Sequence, residues 1–367
     1  MKLKVPEYIF DIPPYVPGKP LEELEREYGI SDSIKLASNE NPLGPSPKAM
    51  EAISGQIAGL HRYPDGAGHI LVGKLAVKLD VRPEQIVLGN GSDEVLGMLS
   101  RALLQPGDEV VIPTPSFLMY IIVARSAGAV AVHVPLKDMA IDLDGILERV
   151  TPRTRMIFIC NPNNPTGSML TQAAFASFLK ALPAGTVVVL DEAYIEFARD
   201  PACIQGLSFL DSDHIVVTLR TFSKVYGLAG LRVGYGVMPE ELAQLLNRVR
   251  MPFNVNSLAQ AAAAAALEDE AFLQKTKALV HQGLDFLYRE LDKRGLRCFP
   301  TQSNFFLIDM QRDARDVFEE FLAQGVIVRA MSAYGYPSYI RINVGLPEEN
   351  QRFIATLDRV IASAGDR

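Results

Sequence analysis

Apolar residues fall into two textures along the chain. Between residues 81 and 220, short runs rich in Val and Ile (85–88, 109–112, 130–134, 156–159, 186–190 and 215–219) alternate with longer stretches of helical spacing. The runs do not alternate with polar residues, which predicts strands buried on both faces of a mainly parallel sheet. Stretches such as 92–104 and 171–181 fall between them as helices, the pattern of an open α/β sheet. After about residue 255 the texture changes. Residues 258–267 are almost pure alanine, a strong helix former that permits close approach, and residues 270–294 carry Phe272, Leu279, Leu287 and Leu291 at helical spacing. Segments 304–308, 327–329 and 339–344, with a last helix, predict a smaller α/β domain. The first 50 residues are Pro-rich and irregular, with one helical piece at 20–28, and predict an arm lying across another surface. The expected division is an arm with part of the small domain over 1–45, a large domain over 46–257 and a small C-terminal domain over 258–367.

Composition narrows the class. A length of 367 residues suits two domains. Lys plus Arg is 36 against 43 for Asp plus Glu, a net charge of −7, which argues against nucleic acid as a partner. Cys160, Cys203 and Cys298 are too few and too scattered for a disulfide framework. No apolar run approaches the roughly 18 residues of a membrane span, and Pro6, Glu7, Asp11, Pro13 and Pro14 interrupt any secretion signal. A soluble cytoplasmic protein with small-molecule substrates, away from membranes, is expected. His61, His69, His133, His214 and His281 lack metal-ligand spacing, and neither a nucleophile elbow nor a phosphate-loop lysine is present. No metal is expected.

Four segments at the carboxyl ends of predicted strands can carry chemistry, where open α/β sheets bind ligands. The first runs from Gly89 through Asn90, Gly91, Ser92 and Asp93 to Glu94 and opens a helix. It reads either as a phosphate seat on free helix amides or as a plain N-cap. Glu94 stands where a dinucleotide fingerprint needs a small residue. The second, residues 161–167, places two Asn-Pro steps at a strand end and is either a turn or a site. The third is Asp191-Glu192-Ala193-Tyr194, where a carboxylate ending a buried strand is costly unless a cation meets it. The fourth, 221–232, sets Lys224 among hydroxyls, glycines and apolar residues, where desolvation can lower its pKa and make it a nucleophilic amine. A snorkelling surface lysine is the alternative.

Together, Asn161-Pro162-Asn163-Asn164-Pro165-Thr166-Gly167, Asp191-Glu192-Ala193-Tyr194 and Ser223-Lys224 with Arg232 eight residues on resemble the pyridoxal-phosphate aminotransferases of fold type I. More narrowly, Asn39-Glu40-Asn41-Pro42, Tyr63-Pro64-Asp65-Gly66, Thr221-Phe222-Ser223-Lys224, Val328-Arg329 and Ile340-Arg341-Ile342 are similar to the histidinol-phosphate aminotransferases. The resemblance spans essentially the whole chain. It implies that Lys224 forms the Schiff base with the cofactor aldehyde and shuttles the substrate proton, while Asp191 pairs with the pyridinium nitrogen. It implies that Asn164 and Tyr194 hydrogen-bond the ring's phenolic oxygen and that Tyr120 stacks on the ring. Gly91, Ser92, Asp93, Thr221, Ser223 and Arg232 would hold the phosphate. Tyr63 would reach that phosphate from a second subunit, so a homodimer is expected.

The same resemblance implies a substrate site of Tyr15, Asn39, Arg329 and Arg341, with the arginines taking either a substrate phosphate or the carboxylates of glutamate. The implied reaction is transamination of histidinol phosphate, a phosphorylated amino alcohol, with 2-oxoglutarate in histidine biosynthesis. An aromatic-amino-acid transaminase and a threonine-phosphate decarboxylase are the rivals. Intact Lys224, Asp191 and Arg232 count against a regulator that merely keeps the fold. Val225, Asn343 and Leu346 depart from the usual pattern.

Overall fold

The computed structural model describes residues 3–12, 14, 26–27 and 29–365, so most of the predicted helix at 20–28 lies outside the described residues. In chain order the strands are β1 (Ile34–Lys35), β2 (Ile86–Gly89), β3 (Glu109–Thr114), β4 (Val130–Pro135), β5 (Thr154–Cys160), β6 (Val187–Asp191), β7 (Ile215–Thr221), β8 (Gly234–Val237), β9 (Phe305–Asp309), β10 (Val326–Ile327), β11 (Arg329–Ala330) and β12 (Tyr339–Asn343). The helices are α1 (Pro47–Gln56), α2 (His69–Leu79), α3 (Ser92–Leu103), α4 (Met119–Ser126), α5 (Leu143–Leu147), α6 (Gln172–Ala181), α7 (Glu240–Val249), α8 (Ser257–Ala266), α9 (Glu270–Asp292), α10 (Ala314–Leu322) and α11 (Pro347–Gly365).

Strands β2 to β8 form one sheet in the order β2-β8-β7-β6-β5-β3-β4. From β7 to β4 all neighbours are parallel, and β8 runs antiparallel to both β2 and β7. The Val/Ile runs are these strands, and β2 and β6 are buried throughout. β4 departs from the expected two-sided burial because it is the sheet's edge, with a neighbour on one side only and most positions open to solvent. β8, with the sequence Gly-Tyr-Gly-Val, carries no apolar run and was not foreseen.

Alternation within the strands feeds two cores. On one face Val189, Val217 and Leu219 meet Leu96 and Leu99 of α3, Val123 of α4 and Leu246 of α7. On the other, Val188, Leu190 and Val216 meet Ile146 of α5 and Phe175 and Leu179 of α6. A third core joins α8 and α9 to the three-stranded antiparallel sheet β11-β12-β9 and to α11, through Val280, Leu284, Leu287, Ile340 and Phe353. The alanine run lets α8 pack against α1, and Ala259, Ala262 and Ala263 are fully buried. α1, which the apolar pattern did not single out, starts with Ser46 capping Ala49 N and Pro47 in the first position. β1 pairs in parallel with β10 as a separate two-stranded sheet, tying the residues before α1 to the segment after α10.

Candidate functional site

The ends of β2, β5, β6 and β7 converge on a cavity of about 160 Å³. At one end β2 turns through Gly91 into α3. Gly91 has φ +79°, and a Cβ there would lie 2.7 Å from the Arg232 guanidinium. A Cβ on Gly234 of β8 would lie 2.4 Å from Ser92 N. Glycine at both positions lets arginine and strand close over the first turn of α3. Glu94 holds the turn, its carboxylate accepting from Asn90 N and Asn254 Nδ2 at 2.6 Å each. Arg232 donates to Ser223 Oγ and pairs with Asp93, both at 3.3 Å. Ser92, Asp93, Thr221, Ser223 and Arg232 line the cavity beside free helix amides, a seat for an anion.

The 161–167 loop divides into scaffold and site. Asn161 Oδ1 accepts from Leu170 N at 2.6 Å, and Asn163 accepts from Ser116 at 2.9 Å while donating to Thr166 at 3.0 Å. Gly167 has φ +74° against Thr301, where any Cβ would meet the hydroxyl. Asn164 alone of the loop's asparagines lines the cavity, and its Oδ1 accepts from Arg341.

Asp191 ends β6 in a buried position. Its carboxylate accepts from the Tyr120 hydroxyl at 2.8 Å and from Ala193 N at 3.1 Å, and among the described residues it forms no ion pair. Burial pushes its pKa up to about 6, with the Tyr120 bond opposing. The cation expected at this strand end is present one residue later, where Arg220 pairs with Glu192 at 2.8 Å. Tyr120 does not offer its face to the cavity, contrary to the stacking role expected for it. Its ring lies against Phe158, centroids 4.8 Å apart, while Phe117 lines the cavity and meets Tyr120 edge-on. Tyr120 lies in the first turn of α4 and Phe117 just before it, and it is Phe117 that faces inward.

Lys224 lies between the two ends of the site. Its ammonium contacts Ser38 O at 3.4 Å and sits 5.5 Å from the Tyr194 ring centre; among the described residues it makes no ion pair. Burial of the amine, reinforced by the charge of Arg341, lowers its pKa to about 8. The Tyr194 hydroxyl accepts from Asn39 Nδ2 at 3.0 Å, and burial keeps the phenol protonated. Asn39 has φ +56° and is held by a bond from its own N to Asn343 Oδ1 at 3.0 Å, which gives the departure at Asn343 a use. Among the described residues Asn39 Oδ1 is buried without a partner, an acceptor left over on a side chain that lines the site.

A second cavity adjoins the first, sharing Ser38, Phe117, Asn164, Tyr194 and Lys224 and adding Asn39, Arg329, Tyr334 and Arg341. Arg329 of β11 and Arg341 of β12 are direct cross-strand partners. Arg341 donates to Ala37 O at 3.0 Å and lies over the Phe305 ring. Tyr15 lies outside the described residues. Tyr63 is 82% exposed, stacked on Phe253 at 4.7 Å, and contributes nothing to this chain's own cavity. Ser38, Glu40, Phe117, Cys160 and Tyr334 also line the cavities and were not foreseen as site residues, although Glu40 stands in the Asn39–Pro42 motif and Cys160 ends β5.

Comparison with known proteins agrees with this geometry. The family model for aminotransferase class I and II matches residues 31–357. The chain is 47% identical over 360 residues to the histidinol-phosphate aminotransferase of Moorella thermoacetica, covering 98% of this chain and 93% of that one. It is 49% identical over 360 residues to the enzyme of that name from Desulfotalea psychrophila, covering 97% and 95%. The crystal structure of the Sinorhizobium meliloti histidinol-phosphate aminotransferase in complex with pyridoxal-5'-phosphate superposes with a TM-score of 0.92 at 30% identity, covering 99% of both chains. Residues 31–357, holding every cavity-lining side chain described above, place the chain in the class I and II aminotransferase family.

Proposed function

We propose that the chain is a pyridoxal-phosphate-dependent transaminase that exchanges the amino group between L-histidinol phosphate and 2-oxoglutarate, giving imidazole-acetol phosphate and glutamate in histidine biosynthesis. The observation that carries this reading is one lysine, desolvated and flanked on both sides by anion seats: Arg232 with the start of α3 on one side, Arg329 and Arg341 on the other. The names of the relatives support the same substrate.

The residues fit the cofactor. Gly91 leaves the space that a phosphate beside Arg232 needs, and Asp191 is a buried carboxylate with only neutral donors, suited to a cation. Bound there, pyridoxal phosphate supplies an aldehyde that takes up the amino group and a ring that accepts the electron pair left on the substrate carbon. Lys224 and Asp191 are the catalytic groups, with Tyr194 beside them. Near neutral pH a fraction of the Lys224 amine is neutral, so its Nζ can take a proton and return it. Tyr194, bonded by Asn39, and Asn164, bonded by Arg341, stand at one wall of the cavity. Gly91, Ser92, Asp93, Thr221, Ser223 and Arg232 hold the phosphate end. Phe117, rather than Tyr120, supplies the apolar wall. Asn39, Arg329 and Arg341 orient the substrate anion, and Arg can address a phosphate or a carboxylate with the same fork.

The exposed Tyr63–Phe253 stack, with Ile57, Leu60, Ile70 and Met251 also exposed, supports a homodimer in which Tyr63 completes a partner's phosphate seat. No helix among the described residues is long and apolar enough to cross a membrane, in keeping with a cytoplasmic enzyme. The pairing of β1 with β10 supports the domain division given above.

A panel of donors with 2-oxoglutarate tests the reading. Histidinol phosphate should be fastest, and Arg329→Ala should weaken its use roughly ten- to a hundredfold through loss of one charge-assisted contact, leaving phenylalanine use almost unchanged. Rapid turnover of phenylalanine with indifference to histidinol phosphate would overturn it. So would release of carbon dioxide from threonine phosphate without 2-oxoglutarate.

A further inference from the structure

Behind the cavity, on the opposite face of the sheet, lies a buried ion pair that the reaction as described does not use. Side chains alternate along β6 and β7, so Val189, Val217 and Leu219 face the core that holds Tyr120, while Val188, Leu190 and Val216 face the other. The same alternation puts Asp191 and Thr221 on the cavity side and sends Glu192 and Arg220 to the back. Asp191 is the cross-strand partner of Leu219, and the last ladder bond runs from Glu192 N to Leu219 O at 2.8 Å. Beyond it the backbones separate, and side chains take over.

Glu192 is fully buried and Arg220 is 12% exposed. Arg220 Nε donates to Glu192 Oε2 at 2.9 Å and its second nitrogen lies 2.8 Å from the same oxygen. Glu192 Oε1 accepts from Gly206 N, and Arg220 also reaches Gln205 Oε1 at 3.4 Å. Gly206 has no room for a side chain, since a Cβ would lie 2.4 Å from Thr218 Oγ1. The pair is thus bonded on both sides in a largely buried site. A buried ion pair is seldom the most stabilising filling for such a space, and hydrophobic residues of similar volume do as well or better. What a clasp with directional bonds adds is fixed geometry.

We propose that Glu192 and Arg220 are positioning residues: their clasp fixes the ends of β6 and β7, and so holds Asp191 in register with Thr221, Ser223 and Lys224 across the cavity. Asp191 stands at one end of the bound cofactor and Thr221 and Ser223 at the other, so an error between the two strand ends misplaces both at once. This inference rests on the cofactor reading given above.

The test is the double variant Glu192→Leu/Arg220→Met, which removes both charges and keeps the volume. Cofactor affinity is read by absorbance titration, folding by thermal melting, and turnover with histidinol phosphate and 2-oxoglutarate. In the folded double variant the expected result is a pyridoxal phosphate dissociation constant raised by roughly ten- to a hundredfold, and kcat lowered similarly with KM little changed, as for a misplacement of about an ångström. Wild-type affinity and kcat in the folded double variant would overturn the proposal. Should the double variant not fold, Glu192→Asp keeps the charge but retracts the carboxylate by one methylene. The same loss of affinity is expected there, and wild-type affinity would equally overturn the proposal. Failure of the wild-type protein to bind pyridoxal phosphate would instead sink the cofactor reading.

Discussion

Tyr120→Phe separates a ring that stacks on the cofactor from one that tunes Asp191. The substitution removes one oxygen and leaves the aromatic stack on Phe158 in place, so packing changes little. What disappears is the 2.8 Å bond from the Tyr120 hydroxyl to Asp191 Oδ2. That donor favours the charged carboxylate, against a burial that pushes the Asp191 pKa up to about 6. Tyr120 itself is held well above the ordinary phenol range by burial and by the Asp191 charge, so it stays a donor throughout the working pH range. A hydrogen bond to a charged group is worth about 1.5–3 kcal/mol, which is about one to two pKa units. In the cofactor-free variant the Asp191 midpoint should therefore rise from about 6 to about 7–8. The ionised form is the one that can receive a pyridinium, so affinity is lost as pH falls through this pKa. The acid limb of pyridoxal phosphate affinity should thus move to higher pH by about one to two units in Tyr120→Phe, with the wild-type value recovered on the alkaline side. Absorbance titrations of cofactor into both proteins across that pH range measure it. Coincident acid limbs would refute the reasoning, because a phenylalanine that merely stacks would serve as well as the tyrosine.

Two further outcomes are expected. In the cofactor-free protein Asp191 protonates at about 6 when folded and near 3.8 when unfolded, so its contribution to stability falls as pH rises between those values; Asp191→Asn should raise the melting temperature near pH 8, relieving a penalty of up to about 3 kcal/mol, and the gain should shrink as pH falls below about 6 and vanish only below about 3.8. Calorimetry of cofactor-free samples checks this, and a variant less stable than wild type at the higher pH would contradict it. Mixing Tyr63→Phe chains with Lys224→Ala chains should restore activity, since one site of each heterodimer then carries neither change; no recovery above the separate variants would place Tyr63 outside a partner's site.

What the sequence disclosed follows a physical divide. The inner strands were legible because a strand buried on both faces must be apolar along its length, as β6 is from Val187 to Leu190. β8 was not, because its glycines answer to neighbours that no local pattern reveals, Gly234 against Ser92 N and Gly236 against Val95 and Met238. Lys224 and Asp191 stood out because charges at the ends of apolar runs are costly and therefore rare. Which aromatic near the start of α4 faces the cavity was not legible, since Phe117 and Tyr120 are both aromatic and only the seating of the helix decides it. The cation expected for Asp191 went to Glu192 instead, through Arg220, a partner 28 positions away on the neighbouring strand.

Three features of the cavity are unfavourable when considered singly. Asp191 is a carboxylate in a site that resists its charge, and Lys224 is an amine in a site that favours its neutral form. Arg329 and Arg341 are like charges directly opposite each other on adjacent strands, an arrangement that destabilises a sheet pair. A molecule carrying a protonated ring nitrogen, an electrophilic carbon and an anion at each far end relieves all three together. Asp191 gains a counter-charge, the neutral amine gains something to attack, and the two guanidiniums gain an oxyanion between them. The fold holds these groups in place before any such molecule arrives, through the Tyr120 hydroxyl behind Asp191, Asn343 behind Asn39 and the Glu192–Arg220 clasp behind the strand ends. Binding therefore does not have to organise them, and the interactions gained can be spent on the reacting carbon.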